Sequence, residues 1–229
     1  MCATGCLCIR LFSIVSLAVF APVVYSQNAK SEPISIRLEG CPSALRLMLP
    51  TKFSRAHGPE ASARRDEILE GLHANPDRKA RYSEVFFVDW KNELAFPQVS
   101  VASLGTFISR QGKISEAEWQ GVKTELVSAS QAQRDRWIAK SIAKFKPNRS
   151  NEIAALQSRI ASITADRPNS IVAFGTSKAI IGGQLIESHT AAKFIYAKRC
   201  LAYVIAAVDS SAPNSFDELI QIVSVIDVE

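Results

Sequence analysis

The amino-acid sequence predicts an α+β fold with one antiparallel sheet built from N-terminal and C-terminal strands. A long helical hairpin and a C-terminal helix are expected to cover one face of that sheet. Residues 34–49, 85–104 and 171–208 contain short alternating or β-branched runs, residues 115–167 show apolar spacings of three and four, and a short amphipathic stretch follows Ser215. Strands and helices that occur in separate runs favour an α+β fold over a parallel sheet.

The N-terminal strands are predicted from period-two patterns. Apolar residues occupy alternate positions in residues 34–38 and 45–49, and a turn-rich connector lies between the two runs. The two runs therefore predict a hairpin over residues 33–49. Residues 85–90 and 98–104 are short and rich in aromatic or β-branched residues, and their closeness predicts a second antiparallel pair.

The helical hairpin is predicted to begin after Ser115. Ser115 and Glu118 have the spacing of a capping box, in which the serine oxygen and the glutamate satisfy free backbone N–H groups. The apolar spacing that follows predicts a helix of about 30 residues up to Pro147, unless residues 128–130 bend it. The second helix of the pair is predicted from an apolar stripe at Ile153, Leu156, Ile160 and Ile163. A separate surface helix is predicted at residues 59–74.

Short strands are predicted at residues 171–174, 179–181 and 184–186. Gly175 and the pair Gly182-Gly183 separate these runs and are expected to lie in turns.

Residues 191–208 are predicted to form two strands joined at Lys198-Arg199. A single helix is the alternative, because alanine is frequent in this stretch. The last helix is predicted to start at Ser215. Its proposed buried face consists of Phe216, Leu219, Ile220 and Val223.

Residues 1–26 have the layout of a cleavable secretory signal. Arg10 is their one charge, an apolar stretch follows it, and small or aliphatic residues precede Gln27. The apolar run of about 15 residues is shorter than the roughly 20 that span a bilayer. We therefore expect cleavage near Ser26 and a periplasmic or secreted product without a transmembrane helix. Residues 27–229 are expected to form a single α+β domain, since no linker or repeat divides them.

Two cysteines, Cys41 and Cys200, follow the signal, and the other three precede its cleavage point. An exported chain with two cysteines most simply pairs them, so these residues predict a disulfide. Two separate buried thiols or one reactive cysteine are the alternatives, because sequence spacing does not show whether the two Cα atoms come within reach.

The histidines give no sign of a metal site. His57, His73 and His189 are isolated from one another and from the cysteines, whereas zinc sites usually show closely spaced ligand pairs. We expect His57 in a loop, His73 near a helix end and His189 in a turn.

Nucleophile and nucleotide motifs are equally weak. The run from Gly175 to Lys178 lacks the second glycine of a hydrolase elbow, and we expect Ser177-Lys178 in a hairpin turn. Gly182-Gly183 has no phosphate-binding context. The sequence therefore predicts no catalytic, cofactor-binding or metal residues and no cofactor.

Charge favours neither nucleic acid nor a membrane span. The formal net charge of +5 falls to about +4 without the signal, and basic residues alternate with acids at residues 64–67, 123–125 and 134–136. Such alternation is typical of solvated helix faces. Tyr196 and Tyr203 flank the basic dipeptide and are assigned to the core or to a binding rim.

These features favour an exported, non-enzymatic domain that binds another envelope or secreted protein, an inhibitor or immunity-type protein being one version. The alternatives are a hydrolase assembled from sequence-distant residues and a carrier of a small apolar ligand. Asn148 begins an N-x-S sequon, which matters only in a eukaryotic secretory pathway.

The signal assignment predicts the mass of the mature protein. Protein recovered from the extracytoplasmic fraction should begin at Gln27, because the peptidase recognises the small residue at Ser26. Intact-mass spectrometry checks this, and a mass that starts at Met1 would contradict it.

Overall fold

The computed structural model describes residues 31–38, 41–42, 44–50, 59, 62–63, 65–66, 69–70, 81–87, 98–103, 114–144, 153–181, 184–224 and 226–228. Its strands are β1 (Ser31–Arg37), β2 (Ala44–Pro50), β3 (Arg81–Phe87), β4 (Gln98–Ser103), β5 (Ile153–Arg167), β6 (Ser170–Ile181), β7 (Gln184–Ala197), β8 (Cys200–Asp209) and β9 (Asp227–Val228). Its helices are α1 (Glu116–Ser128), α2 (Gln131–Lys144) and α3 (Ser215–Ser224). The α+β class is confirmed.

In the described part of the chain, the strands form two antiparallel sheets, which corrects the prediction of a single sheet. The larger sheet has the order β3-β4-β8-β7-β6-β5, and the smaller one has the order β1-β2-β9. The hairpin β1–β2 and the pair β3–β4 confirm the predictions for the N-terminal strands. The stretch 191–208 forms parts of two strands with a turn at Lys198 and Arg199, so the helical alternative is wrong.

Residues 153–167 form the strand β5, so the predicted second helix of the hairpin is wrong. A β-bulge explains the misleading spacing. Ile160 pairs with Gly175 and Ile163 pairs with Ala173, although one extra residue lies on β5 between the two pairs. Gly175 and Ala173 are two residues apart on β6, so Ile160 and Ile163 face the same side of the sheet despite their helix-like spacing of three.

Gly175 lies inside β6 and does not end a strand there, contrary to the prediction. A Cβ atom at this position would clash with the carbonyl oxygen of Arg159, so glycine allows β5 and β6 to approach closely beside the bulge. Ser177 and Lys178 also lie within β6, which corrects the predicted hairpin turn. The pair Gly182-Gly183 falls outside the described residues.

The capping box at the start of α1 is confirmed. The side chain of Ser115 accepts from the N–H of Glu118, and the N–H of Ser115 donates to the carboxylate of Glu118 at 2.7 Å. The N–H and the hydroxyl of Ser115 both donate to this carboxylate, and together with the nearby charge of Arg199 they hold the pKa of Glu118 below its usual value.

The predicted long helix is divided into α1 and α2 at Ala129, whose backbone is extended (φ −62°, ψ 129°). Ser130 and Gln133 then form a reciprocal pair at the start of α2. The N–H of Ser130 donates to the Gln133 side chain at 2.7 Å, and the N–H of Gln133 donates to the Ser130 hydroxyl at 3.3 Å. This is a second capping box, and its S-x-x-Q spacing is visible in the sequence.

The helices cover both faces of the large sheet, which corrects the prediction of one covered face. Trp119 of α1 stacks on Tyr196, with 6.0 Å between ring centroids. The backbone of α3 contacts the other face, since Lys193 Nζ donates to the carbonyl of Val223 at 2.9 Å. Lys193 and Tyr196 are three residues apart on β7 and therefore point to opposite faces.

The smaller sheet shares the α3 face. Leu45, Leu47 and Leu49 of β2 are buried in one cluster with residues of β4, β8 and α3. Burial of each leucine stabilises the fold by about 2 kcal/mol, so the N-terminal hairpin is part of the core.

The helical residues within 59–70 agree with the predicted helix. Arg65 was expected on a solvated helix face, but it is only partly exposed. Its guanidinium pairs with the carboxylate of Glu84, a buried residue of β3. The hydrogen bond to Glu84 raises the pKa of Arg65 above its usual value. This pair holds the helical segment against the β3 edge of the large sheet.

Cys41 and Cys200 form a disulfide with their Cα atoms 5.7 Å apart, a separation typical of such bonds. Cys41 lies between β1 and β2, and Cys200 is the first residue of β8. The bond therefore joins the two sheets. The predicted signal, His57, His73 and Asn148 lie outside the described residues.

Two glycine-to-alanine changes should have opposite effects on stability. Gly175→Ala should lower the free energy of unfolding by about 2 kcal/mol or more, because the new Cβ meets a backbone carbonyl. Gly121→Ala, on the exposed side of α1 with open space around the new methyl group, should raise it by about 0.5–1 kcal/mol. Urea unfolding of the mature protein measures both, and an unchanged Gly175→Ala midpoint would contradict the packing at the bulge.

Candidate interaction surface

α3 buries one stripe of side chains and exposes another. Leu219, Ile222 and Val223 are buried, whereas Phe216 is 44% exposed and Ile220 is 40% exposed. The prediction that Phe216, Leu219, Ile220 and Val223 share one buried face is therefore wrong for Phe216 and Ile220. Phe216 and Ile220 are four residues apart and lie together on the flank of the helix.

Two residues of the sheet extend this exposed flank. The ring of Phe216 lies 5.4 Å from that of Phe174 on β6 and 5.9 Å, edge to face, from that of His189 on β7. Phe174 and His189 are half-buried. These three residues and Ile220 form what we call the aromatic patch. Aromatic pairs in such tilted arrangements stabilise each other modestly and orient their rings.

Polar side chains border the patch on the outer strands. His189 pairs directly with Thr176, and Thr176 pairs directly with Arg159. Directly paired residues point to the same face, so Thr176 and Arg159, both exposed, continue the surface from the patch to the β5 edge. Farther along, Lys178 and Glu187 form an ion pair of 2.6 Å. The patch therefore has an apolar centre and a polar margin.

A buried lysine fixes the helix that carries the patch. Lys193 is 1% exposed. Its Nζ contacts Asp166 Oδ2 at 2.6 Å and donates to the carbonyl of Val223 in the last turn of α3 at 2.9 Å. A cation at this position complements the negative end of the helix dipole. The sequence offers only one hint of this role, a single lysine within an apolar run.

Side chains of α1 and α2 donate hydrogen bonds to carbonyl groups of β5 and of the turn that follows it. Arg134 donates to the carbonyls of Ile160 and Ala161, and Gln131 also donates to Ile160. Lys123 donates to the carbonyls of Arg167 and Pro168 at 3.1 and 2.8 Å. Edge strands with free backbone groups invite pairing with other chains, and these bonds together with the bulges limit it. The described edge of β5 is therefore less open to the addition of another strand.

The residues considered for chemistry lie in structural surroundings. His189 lies inside β7, which corrects the predicted turn, and its ring packs on Phe216. Ser177 is buried and shares a hydrogen bond of 2.7 Å with Ser158. Tyr196 and Tyr203 are buried core residues. Within the described ranges, His189 is not joined to a serine and a carboxylate.

Metal ligation and membrane spanning were also assessed for the described residues. These contain no group of three or more histidine, cysteine, aspartate or glutamate side chains that could hold a metal ion. None of their helices combines the length and apolar character that crossing a bilayer requires.

Comparison with known proteins shows similarity at the level of structure but not of sequence. No protein-family model matches the chain, and no curated protein sequence matches it. The solution structure of the cyanobacterial PsbP protein (CyanoP) from Synechocystis sp. PCC 6803 is similar at a TM-score of 0.47 and 12% sequence identity, over 90% of this chain and 97% of that one. A likeness at this level does not extend to function.

Removal of Asp166 should destabilise the protein more than removal of Lys193. In Asp166→Ala the buried ammonium loses its counter-ion, so the free energy of unfolding should fall by about 3 kcal/mol. Lys193→Met removes the charge and keeps most of the volume, and we expect a fall of about 1 kcal/mol. Urea unfolding curves give both values, and equal losses would contradict the ion pair as the dominant interaction.

Proposed function

We propose that the protein acts outside the cytoplasm as a non-enzymatic binding protein, and that its partner is another protein that docks on the aromatic patch. The observation that carries the proposal is the exposure of Phe216 and Ile220 on α3 beside Phe174 and His189. Binding of a partner that covers exposed aromatic and aliphatic side chains is favourable, because it removes apolar surface from water.

The composition of the patch favours a protein partner. Protein interfaces combine a small apolar centre with a polar margin, and aromatic side chains at the centre supply most of the binding energy. Phe216 is a suitable anchor because Phe174 and His189 already restrict its ring. Less rotational freedom remains to be lost on binding. Inhibition of a toxin or enzyme is one form that this binding can take.

Two features support a location outside the cytoplasm. Residues 1–26 have the layout of a secretory signal. The disulfide between Cys41 and Cys200 is of a kind that persists in oxidising compartments and is rare in the cytosol.

A hydrolase site would have one fewer histidine available for catalysis. His189 contacts Phe216, and no serine and carboxylate join it among the residues that the structure describes. A histidine-dependent site would therefore have to use His57 or His73.

Site-specific photocrosslinking tests the proposal. The mature chain, residues 27–229, carries the photoreactive p-benzoylphenylalanine at position 216 and is irradiated with native periplasmic and secreted fractions. We expect one dominant crosslinked protein, and excess unlabelled mature protein should compete for it. Phe216→Ser should compete at least about 30-fold more weakly, because loss of an aromatic anchor costs 2 kcal/mol or more.

The matched control carries the same photoreactive residue at Val127, an exposed apolar residue of α1 that is 38% exposed and lies outside the patch. It should not crosslink the same protein. Equal crosslinking from both positions, or equal competition by Phe216→Ser and the unchanged chain, would contradict the proposal. Circular dichroism verifies that each variant is folded.

A further inference from the structure

The face of the large sheet that carries α3 is covered unevenly. The main contacts of α3 with this sheet are with β7 and β8. The leucines of β2 pack in one cluster with residues of β4, β8 and α3, so the smaller sheet extends the cover toward β4. In the other direction, β6 and β5 come next in the order of the sheet and lie beyond the helix.

The side chains of β5 and β6 are exposed on this face. Ile160 and Ile163, which point to the α1 face, are buried, whereas Arg159 and Thr164, which point to the α3 face, are exposed. Thr176 of β6 is paired with Arg159 and is exposed too. We call the exposed surface beside α3, formed by Arg159, Thr164 and Thr176, the ledge.

The exposed flank of α3 borders the ledge on one side. Phe216 and Ile220 lie on this flank, and Ser224, one turn farther along, is exposed as well. Residues four apart on a helix form a ridge, and such ridges pack into the groove of a neighbouring helix. Phe174, half-buried on β6, contacts Phe216 where the flank meets the sheet. The flank therefore has the form and the apolar character of a helix–helix contact.

The width of the ledge matches one helix. Adjacent strands lie about 4.8 Å apart, so the middle of the pair β6–β5 is two spacings, or about 10 Å, from the middle of the pair β8–β7 that carries α3. The axes of two packed helices are about 8–10 Å apart. A helix that packs against the flank of α3 would therefore lie directly over β6 and β5.

Arg159, on the far side of the ledge, indicates the charge that an occupant should carry. Its cross-strand partner Thr176 and the next residue of β5 on the same face, Gln157, are uncharged. Lys178 and Glu187 pair with each other. Among the residues that the structure describes, Arg159 forms no ion pair. A carboxylate on the occupant would therefore complement this position.

We infer that the partner presents one amphipathic α-helix, which lies on the ledge beside α3 with apolar residues against Phe216 and Ile220 and a carboxylate facing Arg159. The inference rests on the proposed function, because it identifies the part of the partner that docks at the aromatic patch. A helix satisfies its own backbone hydrogen bonds. It can therefore cover the face of β5 and β6 through side chains alone, without pairing with a strand edge.

Photocrosslinking from three positions tests the helix. Separate variants of the mature chain carry p-benzoylphenylalanine in place of Phe216, Ile220 or Thr176 and are irradiated with the same native fractions, and mass spectrometry locates the captured residues of the partner. All three variants should capture one protein. Residues captured from positions 216 and 220 should be three or four apart, because these positions are separated by about 6 Å along α3 and a helix rises about 1.5 Å per residue. An extended partner, at about 3.3 Å per residue, would give a spacing of about two.

Charge reversal tests the carboxylate. Unlabelled Arg159→Glu should compete at least about tenfold more weakly than the unchanged chain against crosslinking from position 216, since it places two negative charges opposite each other. Added salt should reduce this difference. The matched control is Arg136→Glu, an exposed residue of α2 outside the ledge, which should compete as the unchanged chain does. Circular dichroism verifies that each variant is folded.

The outcomes separate this inference from the proposed function. Capture of a partner from position 216 but not from position 176, captured residues two apart, or equal competition by Arg159→Glu and Arg136→Glu would overturn the docked helix and leave the binding function in place. Capture of a second copy of this chain from position 176 would also overturn the inference. If no protein is captured from position 216, the proposed function and the inference are both wrong.

Discussion

The pairing of β7 with β8 is the interaction on which the rest of the structure depends. β8 is buried along almost its whole length, and the two strands pair from Ser188–Asp209 to Ala197–Cys200. α1 packs on one face of this pair, through Tyr196, and α3 packs on the other, through Lys193. Cys200, the first residue of β8, forms the disulfide with Cys41. Because strand geometry alternates side chains between faces, one hairpin positions both helical layers and the smaller sheet.

Local signals in the sequence predict local structure well. The alternating hairpin at residues 33–49, the capping box at Ser115 and the strand pair at residues 85–104 agree with the structure because neighbouring residues determine each of them. The failure at residues 153–167 has a specific cause. The bulge after Ile160 turns Ile163 to the same face of the sheet as Ile160, so these residues share a face at the spacing of three that is typical of a helix. Gly175, which accommodates the bulge, belongs to another strand. Sequence periodicity alone does not contain that pairing.

The candidate surfaces show the same limit. The sequence places Phe216 and Leu219 on one amphipathic helix, but only the position of α3 on the sheet decides that Leu219 is buried and Phe216 is exposed. Charge behaves similarly. Lys193 and Asp166 meet only when β5 and β7 flank β6.

Under the proposed export of the chain, the disulfide has a consequence for the order of events during translocation. Its two cysteines are 159 residues apart, and β2 also pairs with β9 near the C-terminus. In a chain that is exported from its N-terminus, the first hairpin reaches the far side of the membrane long before either partner. The hairpin remains there without Cys200 and β9, and its leucine side chains stay exposed, until nearly all of the polypeptide has crossed. Closure of this domain is thus a late step, and factors that shield apolar strands in the receiving compartment would act on the hairpin β1–β2 first.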